Sequence, residues 1–174
     1  MKKIALVVAT SALVMIAGSS YAANSLNAGT FGLGVSMVQQ NVTANGQTVN
    51  NPLIQGKYSI TRDIAVLGGF GFLSGGPSGN STTTFSLLGG VRKYLKVDDF
   101  APFVGGVLEY SSTSSAPSSS STLVAAEGGA EYFLAKQFSV EGKVRIGYLS
   151  TDSGTIKSTY FGTTTVGAGL NFYF

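Results

Sequence analysis

Beyond residue 22, apolar and polar positions alternate with period two along most of the chain, and nowhere do they recur at the three-to-four spacing of an amphipathic helix. The alternation returns eight times, broken by clusters of Gly, Asn, Ser, Thr, Asp or Pro. It predicts strands over residues 29–40, 51–60, 64–73, 82–94, 101–111, 122–134, 138–149 and 159–174. The connections alternate as well. Long polar segments, 41–50, 74–81, 112–121 and 150–158, follow the odd strands, whereas tighter turns follow the even ones, around Thr61-Arg62-Asp63, residues 96–100 and Ala135-Lys136-Gln137. Short turns at one end, long loops at the other and an even number of strands of about ten residues predict an all-β fold. The specific expectation is an eight-stranded antiparallel up-and-down transmembrane β-barrel.

The two faces of each predicted strand differ in kind. In the seventh, one face carries Phe138, Val140, Gly142, Val144, Ile146 and Tyr148, and the other Ser139, Glu141, Lys143, Arg145 and Gly147. The eighth sets Tyr160, Val166, Ala168, Leu170, Phe172 and Phe174 against Thr163, Thr165, Gly167, Gly169 and Asn171. A charge at mid-bilayer on a barrel's outer face costs roughly 2–4 kcal/mol, so an apolar, uncharged face on successive strands is the pattern of a face that meets lipid. Lys93 is the exception: it falls on the lipid side near the turn end of the fourth strand, where its head can reach water or a bulge can shift the register. The aromatic residues assigned to the outer face cluster at strand ends, with Val, Leu, Ala and Gly between them, as two girdles around an apolar band require.

Composition narrows the chemistry. The chain has 174 residues and no Cys, His or Trp. That removes disulfides, thiolate nucleophiles, histidine bases and the usual zinc sites. Gly, at 24 residues, is about twice its average share of roughly 7%, without a collagen period. Residues 1–22 read as a cleaved secretory signal peptide: Met1, Lys2 and Lys3 are a positive leader, 4–17 an apolar stretch, and Ser20-Tyr21-Ala22 presents small residues at the cleavage positions. Residues 23–174 are then expected to form the barrel domain. Without Lys2 and Lys3 the remaining 9 basic and 8 acidic side chains nearly balance, which argues against nucleic acid as a partner.

With these residues in place, the chain resembles the small outer-membrane protein β-barrel family, which includes the transmembrane domain of outer-membrane protein A, the OmpX type and the opacity proteins. The resemblance spans residues 23–174. It rests on Gly89-Gly90-Val91-Arg92-Lys93-Tyr94, on Ala101-Pro102-Phe103-Val104-Gly105-Gly106, on Gly128-Gly129-Ala130-Glu131-Tyr132-Phe133, and on the terminal Gly169, Phe172 and Phe174. The last three match the family's C-terminal assembly signal, although Gly167 stands where a polar residue is usual. The resemblance implies export through the periplasm to the Gram-negative outer membrane. It also implies outer-membrane lipid and lipopolysaccharide as surroundings, periplasmic chaperones and the barrel-assembly machinery as partners in biogenesis, and a monomer.

The interior carries the remaining chemistry. Face assignment turns Lys57, Arg92, Lys143 and Arg145 inward together with Glu109, Glu127, Glu131 and Glu141, a lumen of zero net charge. Eight strands enclose a space that side chains just fill, so these groups are expected to interdigitate as ion pairs, with inward glycines making room. Two readings of such a lumen stay open. It is either a salt-bridged plug or a gated ion path, and the absence of a ring of one sign argues against a strongly charge-selective pore. Barrel enzymes of this membrane rely, as families, on a catalytic His that this chain lacks. Asp98-Asp99 has no further ligands in sequence, so neither catalysis, cofactor nor metal is expected. Two functions follow as expectations. One is a non-enzymatic envelope protein whose segments 41–50, 74–81, 112–121 and 150–158 serve adhesion or recognition; the other is a narrow, porin-like conduit. The Ser-rich stretch 111–121 is simple enough in composition to predict a mobile loop.

Overall fold

A computed structural model of the protein describes residues 26–40, 49–75, 82–114, 118–154 and 156–174. The signal-peptide assignment to residues 1–22 lies outside these. The strands are β1 (Phe31–Gln40), β2 (Val49–Ser59), β3 (Ile64–Gly75), β4 (Thr82–Tyr94), β5 (Phe100–Ser114), β6 (Ser119–Ala135), β7 (Phe138–Asp152) and β8 (Lys157–Tyr173). Each pairs antiparallel with its neighbours in sequence, and β8 closes on β1, so the sheet is an eight-stranded barrel. Closure removes the sheet edges that an open sheet of this length would leave unpaired.

The alternation of faces survives in the folded chain. On β7, Ser139, Glu141, Lys143, Arg145 and Gly147 are buried while Gly142, Val144, Ile146 and Tyr148 are exposed. Exposed Leu33, Val35, Ile54, Val66, Leu108, Val124 and Leu170 continue this outer belt around the barrel. A soluble protein does not present so continuous an apolar girdle to water; a membrane-spanning barrel requires it. Lys93 points outward, one residue from the end of β4 and opposite Ile64 at the start of β3, in a register without a shift. Reach to water at the strand end therefore accounts for it, and no bulge is involved.

Two expectations are corrected. Segments 112–121 and 150–158 are not mainly loop: β5 runs to Ser114, β6 starts at Ser119, β7 runs to Asp152 and β8 starts at Lys157. The hairpins go on pairing through the Ser/Thr-rich stretch, with Thr113 opposite Ser119 and Asp152 opposite Lys157. Composition suggested mobility, but hydroxylated residues lie well in a strand when a partner continues the ladder. Likewise β2 begins at Val49 and β3 ends at Gly75, shortening segments 41–50 and 74–81.

The second correction concerns β8. Arg145 pairs with Thr165 but Ile146 pairs with Thr163, leaving Thr164 as the extra residue of a β-bulge. Beyond it the faces exchange. Thr163 is exposed opposite Ile146, and Phe161 stacks on Tyr148 outside the wall, with ring centroids 4.8 Å apart. Tyr160, expected on the lipid face, lies in register opposite the inward Leu149 near the loop end, where it is 42% exposed.

Candidate functional site: the barrel lumen

The inward positions form three successive layers. At the short-turn end Leu26, Ala65, Tyr94, Ala101, Phe103, Phe133 and Tyr173 pack into one buried cluster. Toward the loop end Leu53, Leu67, Leu88, Val107, Leu123, Ala125 and Leu149 form a second. Seven of the eight inward charges stand between them, and Glu109 lies level with the second layer, opposite Leu88 and Leu123. None is more than 4% exposed.

The structure brings all eight together. Lys57 on β2 reaches across the lumen to Glu131 at 3.0 Å and Glu141 at 2.6 Å. Arg92 on β4 holds Glu127 at 2.6 Å and Glu141 at 2.8 Å, with its guanidinium carbon 3.6 Å from the centre of the Phe103 ring. Lys143 pairs with Glu141 at 2.8 Å and donates to Gln55 Oε1 at 3.1 Å. Arg145 joins Glu109 and Glu127, each at 2.9 Å. The carboxylates lie on β5, β6 and β7, and the cations come from β2, β4 and β7, so the pairs tie opposite walls of the barrel. Guanidinium forks shared between two carboxylates suit such a packed network better than ammonium groups would.

Sequence reasoning missed the neutral members. Glu131 accepts hydrogen bonds from Tyr94 Oη at 2.7 Å, Tyr173 Oη at 2.5 Å, Asn171 Nδ2 at 3.1 Å and Ser139 Oγ, besides Lys57. Tyr94 and Tyr173 were legible as inward by alternation, being one residue beyond the outward Lys93 and Phe172. Above the network, hydroxyl pairs line the lumen at the loop end, Ser86–Ser111 at 3.0 Å and Thr84–Thr113 at 3.0 Å, while Ser74–Thr83 at 3.2 Å lies on the outer face.

Room for the long side chains comes from glycine. A Cβ on Gly32 would stand 2.7 Å from Tyr173 Cε1, and one on Gly90 would stand 2.7 Å from the Gly106 carbonyl oxygen and 2.9 Å from Val107 Cγ1. The three C-terminal residues separate by face: Gly169 lies opposite Glu141 and Ser36, where its bare Cα leaves space for the Glu141 side chain, whereas Phe172 and Phe174 are exposed and meet edge to face at 5.0 Å.

No protein-family model matches the chain, and no curated protein sequence matches it. Solved structures do. The chain is similar to Neisserial surface protein A (NspA), at 14% identity and a TM-score of 0.56, over 83% of this chain and 96% of that one. It is similar to outer membrane protein H (OprH) of Pseudomonas aeruginosa, at 17% identity and 0.56, over 84% and 100%. The N-terminal β-barrel domain of OprF from the same organism matches at 12% identity and 0.54, over 84% and 98%. What the likeness shows at these identities is the fold, that of the small outer-membrane barrels.

Proposed function

We propose that the protein is a non-enzymatic, monomeric outer-membrane barrel, exported through the periplasm, whose lumen is a plug. It strengthens the envelope and carries adhesive or recognition surface at its loop end. The observation that carries this reading is the filled lumen: a charge-balanced network of buried ion pairs packed with two apolar layers. Ions crossing it would have to displace buried Leu and Phe side chains and separate charge pairs that are closed off from the surface. The extended β5–β6 and β7–β8 hairpins, rich in Ser and Thr, supply paired strand surface beyond the belt. On this reading Gly169, Phe172 and Phe174 are the signal read by the barrel-assembly machinery. Lipopolysaccharide and phospholipid are the belt's surroundings.

Swelling of proteoliposomes in isotonic arabinose tests the plug. Vesicles carrying the protein should swell no faster than empty ones; swelling that increases with protein content would replace the plug by a conduit.

A further inference from the structure

Pairing between β2 and β3 runs from Ser59↔Ala65 to Ile54↔Phe70 and stops there, although both strands continue toward the loop end, to Val49 and to Gly75. Beyond the break β2 stays bound to β1, from Leu53↔Ser36 to Val49↔Gln40, and β3 to β4, from Gly71↔Ser86 to Gly75↔Thr82. Among the described residues this is the one place where two neighbouring strands both go on while their ladder ends. The wall divides there into two hairpins.

The chemistry of the lips is consistent with a parting. Pro52, the second residue past the break on β2, has no N–H to give a ladder and is tolerated on a free edge. Leu73 alternates with Leu67, Gly69 and Gly71 and so belongs to the inward set, yet it is 45% exposed; Phe72 is 63% exposed. Outside, Ile54 and Phe70 connect the lips to the lipid-facing belt, and inside, Leu53 joins them to the buried apolar layer. The apolar surface is thus continuous from the belt into the break. Residues 49–53 and 71–75 include no charged side chain. Among the described residues no pairing spans the break, so the backbone groups that face it lie outside a ladder, which is costly at the edge of a bilayer unless something polar meets them.

We propose that this break is a lateral notch that binds one membrane lipid. An acyl chain lies against Phe70, Phe72 and Leu73, and the polar head accepts from and donates to the freed backbone groups of β2 and β3. The occupant is a lipid because the notch opens sideways from a belt that lipid surrounds, and it is chosen by hydrogen bonding and apolar fit because the lips are uncharged.

The test uses the refolded full-length barrel in bilayers doped with a phosphatidylcholine that carries a diazirine on one acyl chain. After irradiation, mass spectrometry should find adducts on residues 52–54 and 70–73 several-fold more often than on Val124, Val144 or Ile146, which face the same lipid from β6 and β7. A double variant, Asn50→Cys with Ser74→Cys, sits at the positions that the register would bring opposite each other beyond the break and leaves Phe70, Phe72 and Leu73 intact; oxidation should abolish the enrichment and reduction restore it in the same sample. Competition by unlabelled lipopolysaccharide but not by phosphatidylcholine would identify the acyl chain as that of lipid A, and the reverse would identify a phospholipid. Adducts spread evenly around the belt, or an enrichment indifferent to the oxidised staple, would overturn the proposal. Neither result bears on arabinose permeability, so the notch and the plug stand or fall separately.

Discussion

Glu131 and Glu141 are direct cross-strand partners on β6 and β7, and Lys57, from the far wall, stands 3.0 Å from one and 2.6 Å from the other. Like charges placed opposite each other destabilise a sheet pair. Here the repulsion is converted into a tether, because the cations that reach both carboxylates, Lys57 and Arg92, come from β2 and β4, whereas Lys143 on β7 itself relieves Glu141 alone. Arg92 adds a second such link to Glu141 and stacks on Phe103 as it does so.

Removing the tether should therefore cost more than removing a surface pair. Lys57→Met leaves the two carboxylates facing each other in a closed lumen, and the expected loss is about 3–5 kcal/mol. The double variant Lys57→Met with Glu141→Leu keeps the lumen neutral and should lose less than the single one. Urea unfolding of the refolded barrel in detergent measures both; a double variant less stable than Lys57→Met would contradict the tether.

Space is the second constraint. Gly32→Val puts its Cβ 2.7 Å from the Tyr173 ring, which is itself held against Glu131. Overpacking of this kind costs about 1–3 kcal/mol. A lower temperature of conversion from the folded to the unfolded gel band is the expected result, while Gly68→Val, at a lipid-facing glycine with open space around it, should shift that temperature little.

The outer face should show depth dependence. Val144→Lys places a charge in the middle of β7's lipid face and should cost roughly 2–4 kcal/mol when the protein is folded into bilayers. Lys93→Leu, near the end of β4, should change stability by well under that amount. Equal effects at the two positions would remove the argument that the belt is buried in lipid.

How much of this was legible in the sequence depends on the position. Strand number, antiparallel order and the inward placement of all eight charges follow from alternation, because on β7 a charge marks every inward position from Glu141 to Arg145. Leu53, Leu67, Leu88, Leu123 and Leu149 were harder to read. They face inward on strands whose outer faces are also apolar, so hydropathy does not distinguish the faces and the upper lumen layer was invisible. The bulge in β8 was hidden for a related reason: Thr163, Thr164 and Thr165 are identical, and no change of residue type marks where the faces exchange. The β2–β3 break is a matter of pairing, which one strand's pattern does not record.

Outside the bilayer, pH acts on the short turn between β4 and β5. Asp98 is held below the usual aspartate range, chiefly by the hydrogen bond from Lys96, 2.9 Å away, and also by the Asp99 backbone N–H. A carboxylate lowered in this way contributes stability above its unfolded-state pKa and loses it as pH falls through the folded one. Because the pair is exposed, the contribution is small. An NMR titration should place the Asp98 midpoint below that of free aspartate, and Lys96→Ala should move it back up; an unchanged midpoint in the variant would assign the shift to the backbone contact alone.

The sealed lumen is the central claim, and single-channel recording in a planar bilayer tests it most directly, with the wild type beside a variant in which Glu127→Ala and Arg145→Ala are combined. These two side chains meet at 2.9 Å in the middle of the network. The account predicts a silent wild type and openings only in the variant. Steady openings from the wild type would contradict it and make the same eight charges the lining of a channel.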